Sequence, residues 1–190
     1  MRAGSGILHD EGADDALRTH GGRYEGVQFW INLPKGRKMS PPAYRAIGRG
    51  MAPEIELGAA TLTLIAGRLG EMIGPIETWA NQWLAFGRVP AGEQIEIAPQ
   101  AAELGVYVVA GEIEIAGRTI GEGQIATLNS GERLALRGHA DARLFIFGGD
   151  PLDAPLHRYG LFVMNTDAEF QQAVRDYQAG LFGQIPSRAR

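Results

Sequence analysis

The densest alternation of apolar and polar positions lies between Leu104 and Phe147. Apolar runs such as Val106-Tyr107-Val108-Val109-Ala110 and Leu144-Phe145-Ile146-Phe147 are cut at short intervals by turn signals. Those signals are Ala110-Gly111, Ala116-Gly117, Glu122-Gly123 and Asn129 to Gly131. Short β-rich runs at this spacing predict antiparallel strands of a sandwich or barrel. Glu112, Ile113, Glu114 and Ile115 alternate strictly, which places one face in water and the other in a core.

The same pattern extends toward the N-terminus. Thr61 to Ala66 reads as a strand, and Glu93 to Ile97 alternates so that Ile95 and Ile97 share a side. Thr78 to Phe86 predicts a strand with Trp79, Asn81 and Trp83 on one bulky face; those rings suit wall packing more than a ligand cavity. Gly21 to Leu33 predicts another strand, with Val27, Phe29 and Ile31 on one face and Gln28, Trp30 and Asn32 on the other. Pro34 stops it, because proline cannot donate to a ladder. Near the C-terminus the period changes. Thr166 with Glu169 forms a capping box, and Phe170, Ala173, Val174 and Tyr177 follow at helical spacing. The expected helix spans about 166–179, stops at Gly180 and lies against a barrel.

The expected fold class is therefore all-β, with one complete barrel from Leu57 to Gly149 followed by a single helix. Composition narrows the function classes. The chain has 190 residues, 45% of them apolar, and a net charge of −4. That balance gives no strong nucleic-acid signal. There is no cysteine, which excludes disulfides and thiolate metal sites. No run is long enough for a membrane helix, and Met1 to Asp10 has no secretory h-region, so a cytoplasmic location is expected. Lys35 to Arg49 carries Lys35, Arg37, Lys38, Arg45 and Arg49 without an acid. Such a loop either binds phosphate or an acidic partner, or is a solvated connector, the commoner case. Between Pro53 and Glu122 ten acids face three arginines, so the complete barrel has an acidic surface.

One pair of residues carries candidate metal chemistry. Ile7 to Glu11 reads as a short extended run, and on a strand His9 and Glu11 share a face. Their Cβ atoms would stand roughly 6–7 Å apart, two strand steps. An imidazole and a carboxylate so placed can reach one cation; the same spacing also describes a polar strand end in water. His139 and His157 read as exposed polar residues.

The run Val106 to Ile115, followed by Gly121-Glu122-Gly123-Gln124-Ile125-Ala126-Thr127-Leu128, resembles the core of a cupin, a small jelly-roll barrel. Further stretches resemble the pirin family of two-cupin proteins. They are Ala3 to Glu11, Gly21 to Pro34, Lys38 to Tyr44, Ile65-Ala66-Gly67, Gly74-Pro75-Ile76, Gly148 to Leu152 and Gly160 to Thr166. The resemblance runs in order from Met1 to about Gly183. It implies a partial N-terminal cupin over 1–56, a C-terminal cupin with its terminal helix over 57–183, and a loose tail over 184–190. Pirins carry a His-Pro-His-Arg-Gly element that supplies two metal-binding histidines, then a Gly-x-x-His-x-Glu element that supplies a histidine and a glutamate. Here the second is present as His9 and Glu11, and no His-x-His occurs. The expectation is a chain lacking the first half of the first barrel, with His9 and Glu11 as a metal half-site and no metal in the C-terminal barrel.

The resemblance also implies a function. In full-length form a pirin-like protein binds one iron (Fe2+), and some members oxidise flavonols such as quercetin, as a quercetin 2,3-dioxygenase does. With half a site, iron binding and catalysis by this short chain are expected to be weak or absent. The alternative is a regulatory module of the transcription-cofactor type, which binds a protein partner and needs no complete metal site. Strand edges left exposed by a missing half would favour a homodimer.

Overall fold

The computed structural model describes residues 1–13, 15–48, 50–129, 131 and 133–185. The chain divides into two compact units, one formed by Met1–Arg45 with Asp153–Arg190 and the other by Ala46–Leu152. The terminal helix falls in the unit that also holds the N-terminal segment.

The unit 46–152 is the jelly roll. Its strands are β1 (Glu54–Leu57), β2 (Ala60–Ala66), β3 (Arg68–Leu69), β4 (Met72–Ile73), β5 (Gln82–Val89) and β6 (Gln94–Ile97). They continue as β7 (Glu103–Ala110), β8 (Glu112–Ile115), β9 (Arg118–Gly121), β10 (Ile125–Leu128), β11 (Leu134–Gly138) and β12 (Ala142–Gly149). One sheet has the order β1-β2-β5-β12-β7-β10, the other β6-β11-β8-β9, and β3 pairs with β4 as a small hairpin. Every ladder in both sheets is antiparallel. Period-two alternation decides which side chains fill the space between the sheets. On β2 alternate residues Ala60, Leu62, Leu64 and Ala66 are buried. On β8 Ile113 and Ile115 point inward, while Glu112 and Glu114 remain partly exposed, as their alternation predicts. Ile95 and Ile97 are both buried, as expected from the 93–97 alternation.

The aromatic run before the barrel's centre behaves differently from its sequence pattern. The strand begins at Gln82, not at Thr78, and the segment from Thr78 to Asn81 bends instead of pairing. Trp83 is the largest fully buried side chain, and its indole Nε1 donates to Pro99 O at 3.0 Å. Phe86 lies on the opposite face, packed on Phe145 at 5.2 Å between centroids. A polar tie closes the bend. Asn81 Nδ2 donates to Asp150 Oδ2 at 2.9 Å, and the Ala102 N–H donates to Asp150 Oδ1 at 2.9 Å. These two bonds, Asn81's first, hold the Asp150 carboxyl below its ordinary pKa of 3.8. A carboxyl with a lowered folded pKa adds stability that is present above its unfolded value and is lost as pH falls through the folded one. Thermal melts of Asp150→Asn should therefore show a shallower loss of stability than the parent as pH falls below about 4. Parallel melting curves for the two proteins would rule this tie out.

The unit formed by 1–45 and 153–190 is mostly irregular. It contains α1 (Asp15–His20), the hairpin β13 (His157–Tyr159) with β14 (Phe162–Met164), and α2 (Asp167–Gln178). α2 starts where the capping box predicts. Thr166 Oγ accepts from the Glu169 N–H at 3.2 Å, and Glu169 reaches back to the Asn165 N–H at 2.9 Å. Its apolar stripe packs on the hairpin, with Phe170 against Tyr159 and Phe162. Tyr177 packs against Phe162 and Phe182. No strand ladder among the described residues includes 7–11 or 21–33, so neither expected strand forms there. Alternation alone cannot make a strand; it needs a neighbour to take its hydrogen bonds. The connector 35–49 also departs from a purely solvated reading. Lys38 is buried, its ammonium donates to Asn32 Oδ1, and burial pushes its pKa below 10.5 against the pull of the Glu169 carboxylate. Arg49, the loop positions 130 and 132, and the part of the tail from 186 to 190 lie outside the described residues.

Candidate functional site

The His9–Glu11 pair lies on the N-terminal segment, outside any helix or strand. That segment is held in place by backbone contacts on both sides of a turn. Arg2 and Ala43 form a bridge, the Ser5 N–H donates to Ser40 O at 2.9 Å, and the Leu8 N–H donates to Phe182 O at 3.2 Å. Just beyond, His9 Nδ1 stands 3.2 Å from Glu11 Oε1. The i, i+2 relation thus brings the two groups together in a segment that belongs to no sheet.

Gln28 completes the arrangement. Its Nε2 donates to both Glu11 oxygens, at 2.9 and 3.0 Å. Sequence reasoning missed this residue as part of the site. The available signal was parity, since Gln28 falls on the polar face of the 27–31 alternation. Glu11 and Gln28 line an open cleft of about 1130 Å³ whose wall includes Asp10, Tyr24, Phe29 and Tyr44. The cleft mixes aromatic surface with carboxylates.

The pair can be tested against a metal ion. Two ligands about 2.1 Å from one cation, at right angles to each other, stand about 3.0 Å apart. The 3.2 Å separation of His9 Nδ1 and Glu11 Oε1 suits one edge of such a shell. It equally suits a direct ion pair. Among the described residues no group of three or more His, Cys, Asp or Glu gathers where it could hold a metal. His20 ends α1 with its Nδ1 3.0 Å from Ala16 O. The donor types fit iron as two ligands of a larger set, and the described residues do not supply the rest.

The other histidines sit elsewhere. His139, on the barrel, has Glu112 Oε1 3.4 Å from Nδ1 and Glu114 Oε2 3.0 Å from Nε2. The two glutamates come from the wet face of β8, a cross-strand pairing invisible in sequence. His157 Nδ1 stands 2.9 Å from Asp167 at the start of α2.

Two antiparallel sheets closed around an apolar core, with the β-rich run 104–149 at their centre, define a cupin-type jelly roll. Residues 85–183 match the pirin C-terminal cupin domain. The chain belongs to the pirin family. A Pseudomonas aeruginosa protein with the provisional name quercetin 2,3-dioxygenase is 36% identical over 96% of this chain and 65% of its own length. A pirin-like protein of Solanum lycopersicum is 31% identical over 99% of this chain and 65% of its own. The crystal structure of a quercetin 2,3-dioxygenase from Acinetobacter baumannii superimposes with a TM-score of 0.76 at 29% identity, covering 83% of this chain and 56% of that one. The chain thus spans about two thirds of the length of these curated relatives. No helix among the described residues is long and apolar enough to cross a membrane.

Proposed function

We propose that this chain works as a pirin-type cupin protein, and that His9 and Glu11 provide one edge of an iron site. The observation that carries this reading is the 3.2 Å approach of imidazole to carboxylate beside an open cleft. With a full ligand set, iron would supply a site for dioxygen and for a catechol-like substrate such as a flavonol. This chain's own residues have simpler tasks. His9 and Glu11 bind the metal, and Gln28 fixes the carboxylate by two hydrogen bonds. Fixing a ligand from outside the metal's own shell keeps its orientation and basicity. Tyr24, Phe29 and Tyr44 offer aromatic surface to a flat ring system.

Residues 1–190 alone are expected to purify without stoichiometric iron and to take up no oxygen with quercetin. Two protein ligands leave a first-row cation mostly hydrated, whereas firm sites use three or more. A form carrying a His-Pro-His-Arg-Gly element ahead of Met1 should hold one iron per chain. Iron analysis and oxygen uptake on both forms, side by side, make the test. One iron per chain in the short form would overturn the half-site.

The second reading is a protein-binding regulatory module. It is favoured by the exposed apolar side chains Tyr24, Val27, Trp30 and Ile31, which a partner would cover. Absence of iron and of activity in both forms, together with stable capture of a purified partner, would support it instead.

A further inference from the structure

We propose that Phe182, near the far end of the chain, is a positioning residue for His9. This rests on the reading of His9 as a metal ligand. Gly6 adopts φ +127°, a backbone state that side-chain-bearing residues rarely take. A Cβ on Gly6 would stand 2.1 Å from Phe182 Cε1 and 2.2 Å from its Cδ1. The ring therefore occupies the volume that any other residue at position 6 would need. Two residues on, the Leu8 N–H donates to Phe182 O at 3.2 Å. One residue thus touches the N-terminal segment twice, with its ring under Gly6 and its carbonyl on the residue before His9.

Phe182 is itself held. Its ring packs on Phe162 and on Tyr177, at 6.3 and 5.9 Å between centroids. Phe162 belongs to β14 and Tyr177 to α2, so hairpin and helix aim the ring. On the other side of the turn, Gly4 approaches Ser40 O so closely that a Cβ would lie 2.0 Å from it. The segment 4–8 is thereby clamped between the 40–43 loop and Phe182. A segment without a ladder depends on such contacts to hold a ligand side chain still. The segment from Gly160 to Phe182 then has a task beyond covering apolar surface, which is to fix where the His9 imidazole stands.

The test uses Co2+ as an air-stable divalent probe, followed on the full 190-residue chain by NMR, which reads weak binding. Phe182→Ala should weaken Co2+ binding at His9 by about tenfold, the range found when an orienting partner of a ligand is removed. It should also speed exchange of the Leu8 amide without metal. Phe182→Tyr, which keeps the ring, should restore both. Gly6→Ala should harm binding, and less so when combined with Phe182→Ala, because the ring it collides with is gone. Far-UV circular dichroism selects the folded variants, and Phe182→Leu substitutes if the alanine variant does not fold. Additive losses in the double variant, or unchanged Co2+ affinity and Leu8 exchange in Phe182→Ala, would overturn the positioning role. A His9→Ala chain that binds Co2+ as well as the parent would instead overturn the ligand reading on which it rests.

Discussion

His9→Ala, made in a form that carries the complete ligand set, is expected to lower iron affinity by more than about 100-fold and to abolish flavonol oxidation. Removing a residue that merely orients a ligand costs about 10–100-fold in metal affinity, and removing a ligand costs more. The effect should be local. His9 lies outside the barrel's ladders and is no part of its core, so its truncation leaves both untouched. Glu11→Gln keeps the shape and removes the anionic donor, and it should behave like His9→Ala. Gln28→Ala leaves both donors in place and releases the Glu11 carboxylate from two hydrogen bonds. It should cost about tenfold, between the parent and the ligand variants. Iron content after dialysis, read together with oxygen uptake, ranks the four proteins. Full iron occupancy in His9→Ala would remove this residue from the site.

The largest stability effect is expected at Trp83. Its side chain is 1% exposed, in the middle of the six-stranded sheet, and donates to Pro99 O. Gly148 on the neighbouring strand β12 leaves room for the indole: a Cβ there would lie 2.8 Å from Nε1. Trp83→Ala removes this volume and leaves a buried carbonyl without its donor. The expected cost is about 3–5 kcal/mol, the range for large aromatic truncations in cores. Trp83→Phe keeps most of the apolar surface and loses the hydrogen bond, so it should cost less, about 1–2 kcal/mol. Urea titrations compare the three proteins. A loss below about 1 kcal/mol in Trp83→Ala would mean the site collapses around the gap and the indole does not organise the sheet.

Legibility varied along the chain for a physical reason. Between residues 103 and 149 turn signals separate the strands, each pairs with a neighbour, and β8, β11 and most of β12 alternate in burial. Ile113 and Ile115 are buried and Glu112 and Glu114 partly exposed, as their order in the chain predicts. The helix was equally plain, because its cap and its stripe are local features. The runs 7–11 and 21–33 carry just as regular a pattern, yet they form no ladder among the described residues. What they lack among the described residues is a neighbouring strand, and a neighbouring strand is not a property of the run itself. Lys38 fails in the opposite sense: it sits in a basic connector and is buried beside Asn32.

What the sequence determined by itself is the all-β barrel, the capped helix and the chemistry of His9 and Glu11 as an imidazole and a carboxylate two residues apart. Periodicity, capping and donor type act over a few residues, so they can be read without coordinates. Tertiary structure alone decided that Gln28 holds Glu11, that Trp83 faces inward while Phe86 faces outward, and that Phe182 fills the space beneath Gly6. It also decided that α2 groups with the N-terminal segment. Each of these joins residues distant in sequence or depends on where a strand begins, and such relations arise only when the chain has closed on itself.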